Sequence, residues 1–159
     1  MKKPFYKGIP FLFAILFNSF LQAQTYCTPT HETCGIPVVQ VDVVGETKSI
    51  SNGSACAKYT DYSLDHVADV QTGNSIQATI EVDRQTSGSA TLYCWIDWNK
   101  DGLFEAAEQV HNGSATAGLV VFTITPPATA VLGTTRMRFR TNGAIAIGGG
   151  SGPCDEIAN

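Results

Sequence analysis

Charge is scarce in this sequence, and basic charge is the scarcer kind. Only 15% of the 159 residues are charged, with ten Lys+Arg against fourteen Asp+Glu. That balance excludes the basic stripe or high pI of a nucleic-acid binder. Apolar residues still make up 43% of the chain, so low charge here does not mean disorder. No apolar run reaches the ~20 residues that a membrane-spanning helix needs. There is no Cys-x-x-Cys pair to suggest zinc or redox chemistry, and no Gly-x-Ser-x-Gly to form a nucleophile elbow. The glycine-rich run Gly148-Gly149-Gly150-Ser151-Gly152 lacks the lysine of a phosphate-cradling loop and is read as a flexible spacer. Nowhere does a sustained i, i+3, i+4 apolar stripe with caps announce a long helix.

What is present begins with an export leader. Lys2, Lys3 and Lys7 precede an apolar stretch from Ile9 to Phe17, and Leu21-Gln22-Ala23 offers a small-residue cleavage site before Gln24. Residues 1–23 are read as a signal peptide and residues 24–159 as one domain. Without the three leader lysines, seven bases stand against fourteen acids, a formal charge of −7. A length of about 136 residues suits a single domain with a real core. The expected location is secreted, extracellular or on the cell surface.

All five cysteines, Cys27, Cys34, Cys56, Cys94 and Cys154, follow the leader, in a compartment where disulfides persist. Five is odd, so at most two bridges form within the chain, and spacing alone does not fix the pairing. Cys94 is the expected unpaired thiol, because it sits in an apolar, strand-like run where cysteine behaves as a small hydrophobe.

Alternating or continuous β-branched runs predict strands over Val38–Val44, Ser75–Val82, Thr91–Asp97, Gly118–Thr125 and Thr135–Thr141. Asn52-Gly53, Gly73-Asn74, Asn112-Gly113, Pro126-Pro127 and Asn142-Gly143 read as turns between them. Phe104–Val110 has the composition of one short helical turn. The fold class is therefore all-β, an antiparallel β-sandwich with a calcium-binding loop between strands.

That loop is Asp97 to Glu108, which matches D-x-[DN]-x-[DN]-G-x5-E at every specified position. Calcium is a hard cation taking six to eight oxygens. The spacing offers side-chain oxygens at Asp97, Asn99 and Asp101, a carbonyl at Leu103 and a two-oxygen carboxylate at Glu108, with Gly102 at the sharp turn. A chance match in the chain is on the order of a few in ten thousand for ordinary residue frequencies. The run Leu92-Tyr93-Cys94-Trp95-Ile96 ahead of it is strand-like, so the ion is expected to pin a loop to a sheet with no helix pair to open. The expected cofactor is Ca2+, held in the weak range of extracellular modules, roughly 10⁻⁴–10⁻³ M.

Four ordered segments carry a family resemblance: Tyr26-Cys27-Thr28-Pro29; Cys56-Ala57-Lys58-Tyr59-Thr60-Asp61-Tyr62; Trp95 to Phe104 with Glu108; and Gly133 to Arg140 followed by Pro153-Cys154. Together they resemble the GEVED domain, found in exported, often multidomain proteins of Bacteroidetes-type bacteria, many of them type IX secretion cargo. The resemblance implies an all-β extracellular module, usually accessory to other domains and without established catalysis. It also implies a Gly-Glu-Val-Glu-Asp-Tyr segment just past Asn159, which would supply a closing strand and further acidic groups. On that expectation the C-terminal strand of the domain is missing.

The remaining constellations are weaker. His31-Glu32-Thr33-Cys34 lacks the second histidine of a zinc-protease helix, and His66 and His111 read as surface or loop residues. Arg136, Arg138 and Arg140 alternate with Met137 and Phe139, so one strand face is cationic and the other enters the core. The cationic face is either a docking stripe for acidic polysaccharide or a solvated face balancing acids such as Asp155 and Glu156. Trp98 in the ion loop and Tyr59 and Tyr62 beside Asp61 are candidates for stacking on sugars or for loop packing. The expected function is a non-enzymatic, calcium-stabilised module for adhesion or for binding a ligand or partner, with cell-surface polysaccharide or neighbouring domains of a longer protein as partners. The alternative is the N-terminal accessory domain of a larger secreted peptidase or glycosidase.

Overall fold

The β-branched runs do pair into sheets, and two further strands join them. The computed structural model describes residues 25–29, 35–83, 90–116, 118–143 and 152–155. The expected leader, His31–Cys34 and most of the glycine-rich run lie outside the described residues. Among those described there are seven strands: β1 (Val38–Val44), β2 (Ile50–Gly53), β3 (Ile76–Val82), β4 (Ala90–Ile96), β5 (Gln109–Ser114), β6 (Leu119–Ile124) and β7 (Met137–Gly143). One short 3₁₀ turn, η1 (Ala106–Glu108), stands where the sequence suggested a helical turn. No helix among them is long and apolar enough to cross a membrane.

The strands form two antiparallel sheets, ordered β2-β1-β3-β6 and β5-β4-β7. β1 faces β7 and β6 faces β5 across the interior. The all-β sandwich read from the sequence is thus the observed architecture. Three of the predicted turns are corrected: Asn52-Gly53 ends β2, Asn112-Gly113 lies inside β5 and Asn142-Gly143 ends β7. β2 and β5 are edge strands with polar composition, which hides them from a search for β-branched runs. Gly113 pairs with Leu92 on the core face, where an added Cβ would come within 3.0 Å of the His111 ring.

Alternation then decides what is buried. Ala78, Ile80 and Val82 of β3 meet Leu92, Cys94 and Ile96 of β4, with Val43, Val120 and Ile124 beside them. Each fully buried aliphatic side chain contributes about 1.5–3 kcal/mol relative to exposure. His111 is not a loop residue: it projects from β5 against Phe122 of β6, ring centroids 4.3 Å apart, and burial lowers its pKa. Cys94 is free and fully buried, as its apolar setting suggested. Cys27 bonds to Cys154 across 127 residues of sequence, and Cys56 is disulfide-bonded as well.

The outward face of β4 and β7 is also covered. Tyr93 and Trp95 pair in register with Arg140 and Arg138, and Trp95 is only 2% exposed despite facing away from the core. Its cover is a third layer, made from the Tyr26–Pro29 segment, Phe104 and residues 152–155, and fastened by the Cys27–Cys154 bond.

Candidate functional site

The loop from Asp97 to Glu108 leaves β4 and winds around the first carboxylate. Asp97 is completely buried. Its Oδ1 accepts the backbone N–H groups of Lys100 (2.7 Å) and Asp101 (3.3 Å), and its Oδ2 accepts Gly102 N–H (3.0 Å). Lys100 and Gly102 take positive φ values of 61° and 87°, and a glycine carries the second at no steric cost. Asp101 accepts Leu103 N–H at 2.9 Å, and Asn99 Oδ1 accepts Asp101 N–H at 2.9 Å.

Glu108 closes the loop. Its Oε1 accepts Asn99 N–H at 3.2 Å and its Oε2 accepts Glu105 N–H at 3.2 Å, the second forming a capping box at η1. Glu108 is 5% exposed. Two carboxylates are thus buried in one short loop, each satisfied by backbone N–H donors. Such burial is costly without a compensating positive charge.

The donor chemistry and the backbone path fit a hard divalent cation: Asp97, Asn99, Asp101, Leu103 and Glu108 supply oxygen donors and Gly102 the turn. The side-chain oxygens, however, are directed onto the loop's own N–H groups. Among the described residues no three His, Cys, Asp or Glu side chains converge on one point. Holding an ion therefore requires Asn99, Asp101 and Glu108 to turn inward around Asp97.

One contact to this loop has no signal in the motif. Tyr26 donates its hydroxyl to Asp97 Oδ2 at 2.6 Å, with its ring 5.1 Å from Phe104 and the Arg136 guanidinium 4.9 Å above it. Burial, followed by the hydrogen bond to Asp97, pushes the Tyr26 pKa up to about 12. Tyr26 stands next to Cys27 in sequence, and that adjacency was the only hint that the disulfide would deliver it to the loop.

The three arginines do not form a solvated stripe. Arg138 and Arg140 are 7% and 6% exposed. Arg138 donates to the carbonyls of Cys27 (2.6 Å) and Pro153 (2.9 Å), with its guanidinium 4.7 Å from the centre of the Phe104 ring. Arg140 donates to the carbonyls of Gly152 and Asp155. Burial lowers both pKa values. Alternation correctly put the pair on one face, but the third layer buries that face. Only Arg136 remains partly open, where it meets Asp61 at 3.0 Å. Hydrogen bonds from Ser63, with Arg136 assisting, lower the Asp61 pKa.

Beside β7 lies an open groove of about 650 Å³. Val41 and Val43 of β1, Ile50 of β2, and Met137 and Phe139 of β7 form its apolar part. Tyr59, Tyr62, Trp98, Arg136, Arg138 and Arg140 line it too, so this one feature brings together all six ligand candidates read from the sequence. Tyr59 is 39% exposed, whereas Trp98 is half-buried against the core. The apolar part was not anticipated as a site, because in sequence these residues look like ordinary inward strand positions.

Comparison with known proteins gives one result. A family model described as the GEVED domain matches residues 91–159. That range spans β4, the Asp97–Glu108 loop and β5 to β7, while the Tyr26–Pro29 and Cys56–Tyr62 parts of the resemblance precede it. No curated protein and no solved structure matches the chain.

Proposed function

We propose that this chain, a GEVED domain protein over residues 91–159, is a non-enzymatic exported module. It binds a partner through the groove beside β7 and holds a calcium ion in the Asp97–Glu108 loop. The observation that carries this reading is the groove itself, which gathers aromatic and cationic side chains from three separate stretches of sequence onto one open apolar cavity. Pockets of this size and lining serve recognition. Export is supported by the leader read in residues 1–23 and by the Cys27–Cys154 bond, a feature of oxidising compartments. Calcium is supported by the motif and by the two buried carboxylates that a cation would neutralise. Its role is structural, fixing the loop at the end of β4.

Adhesion follows if the partner is displayed on a cell surface, as polysaccharide or as protein. The test uses the whole chain, fluorescently labelled, against a glycan array and against intact bacterial cells in millimolar calcium. Saturable binding to either supports a binding module. Silence on both overturns it.

A further inference from the structure

We infer that the free edge of β6 is a self-association surface, where a second copy of this chain adds its own β6, antiparallel and centred on Val121. β6 ends its sheet at the edge opposite β2. Register fixes which groups it offers there. Val82 donates its N–H to the Gly118 carbonyl at 2.7 Å, and the pairing continues as Ile80 with Val120, Ala78 with Phe122 and Ile76 with Ile124. In an antiparallel ladder such hydrogen-bonded pairs alternate with pairs whose N–H and C=O groups point the other way. Leu119, Val121 and Thr123 therefore direct both backbone groups to the open side, and no strand meets them among the described residues. Their side chains share the outer face of the sheet, where Leu119 is 57% and Val121 53% exposed.

The other edges carry guards against such pairing. β2 is only four residues long, β5 is polar and shifts register against β4 between Cys94 and Trp95, and β7 bears Arg138 and Arg140. Leu119–Ile124 has no charge, no proline and no register shift against β3. That composition selects the occupant. A strand bearing charge meets no counter-charge on β6, and an acyl chain leaves its N–H and C=O groups unpaired. A second β6 meets both conditions. With Val121 opposite Val121 of the second copy, Leu119 falls opposite Thr123 on either side, and each of these pairs exchanges two hydrogen bonds. A slip of two residues in either direction loses one pair. Leu119 and Val121 of the two copies then form one apolar row on the outer face. Glu81, beside Leu119 on β3, lies in line with Gln77 of the second copy, so no like charges are opposed. One six-residue strand buries well under the ~1,200 Å² of a stable interface. The contact is therefore weak in dilute solution and strengthens where chains are held close together.

The test is sedimentation equilibrium of the whole chain from micromolar to millimolar concentration. The expected result is a reversible passage from monomer to dimer and no further. Val121→Lys, which sets like charges directly opposite each other, should weaken the dimer by about tenfold or more. Because position 121 faces itself, mixing Val121→Lys with Val121→Glu should restore association as a heterodimer. Val121→Cys should cross-link to its own copy under mild oxidation, since a hydrogen-bonded pair sets the Cα atoms about 5.5 Å apart, within disulfide reach. Leu119→Cys should cross-link to Thr123→Cys and not to itself. All four substitutions lie at exposed positions, and circular dichroism checks the fold of each. A chain that stays monomeric throughout the range overturns the inference. So does a dimer that survives Val121→Lys, or growth beyond the dimer, since either requires another surface. Self-cross-linking at Leu119→Cys with none at Val121→Cys overturns the pairing centred on Val121.

Discussion

Tyr26 reaches across 71 residues of sequence to place its hydroxyl 2.6 Å from the buried carboxylate of Asp97. The contact joins the disulfide-fastened outer layer to the loop that starts at the end of β4, so the two are mechanically one unit. Removing the hydroxyl leaves Asp97 Oδ2 one donor short inside the protein. Tyr26→Phe is expected to cost about 1–3 kcal/mol, the range for stranding a buried polar partner. Urea denaturation of the two proteins measures it.

The same contact gives a pH dependence with a definite sign. The Tyr26 pKa rises from 10.0 to about 12 on folding, so between those values the folded state holds a proton that the unfolded state has released. The stabilisation is fully present below pH 10 and is lost as the pH climbs toward 12. Thermal melts across that window should show a Tm decline steeper in the native protein than in Tyr26→Phe. Equal slopes would remove Tyr26 as the cause.

Calcium makes a separate prediction. With a dissociation constant of roughly 10⁻⁴–10⁻³ M, a concentration of about 10 mM stabilises the folded chain by about 1.4–2.7 kcal/mol. For a domain of this size that is a Tm rise of about 5–9 °C. Magnesium should do less, because it demands tighter octahedral geometry. Asp97→Ala should abolish the response. An unchanged Tm with calcium would show that the loop's N–H groups and the Tyr26 hydroxyl serve the buried carboxylates without an ion.

Much of this was written locally and some of it was not. Val38–Val44 and Ile76–Val82 announce themselves by β-branched composition, and the structure keeps those strands to within a residue. β2 and β5 do not, because edge strands such as Gln109–Ser114 need few apolar side chains and tolerate Asn-Gly within the ladder. The Asp97–Glu108 loop was legible because turn chemistry is local: the backbone N–H groups that the Asp97 carboxylate accepts lie only three to five positions on. The fate of Arg138 and Arg140 was not, because burial of an outward strand face depends on a chain segment more than a hundred residues away.

Arg138 should not tolerate lysine. Its fork spans the Cys27 and Pro153 carbonyls at once while the guanidinium faces Phe104. An ammonium is a point donor and cannot reproduce that planar span. Arg138→Lys is expected to lose about 2–3 kcal/mol, from at least one unmade charged hydrogen bond and the poorer ring contact. Loosening of the outer layer should follow. Faster hydrogen exchange at Trp95 and a red-shifted tryptophan emission would report it, since that ring depends on the layer for its cover.

Cys94 tests the core itself. Its thiol is fully buried between the sheets, where desolvation raises its pKa well above the usual thiol range, so the thiolate that would react with disulfide reagents is not formed. In the native protein Cys94 should stay unmodified by a thiol-specific probe and become labelled in denaturant, with peptide mass spectrometry identifying the site. The thiol behaves as an apolar group, its nearest acceptor being the Trp95 carbonyl at 4.0 Å. A serine hydroxyl there is shorter and more strongly polar, and it would be buried without a good partner. Cys94→Ser should therefore cost about 1–3 kcal/mol, while Cys94→Ala, which leaves only a small cavity, should cost less. The order of those two midpoints is the decisive measurement, because a hydrogen-bonded thiol would reverse it.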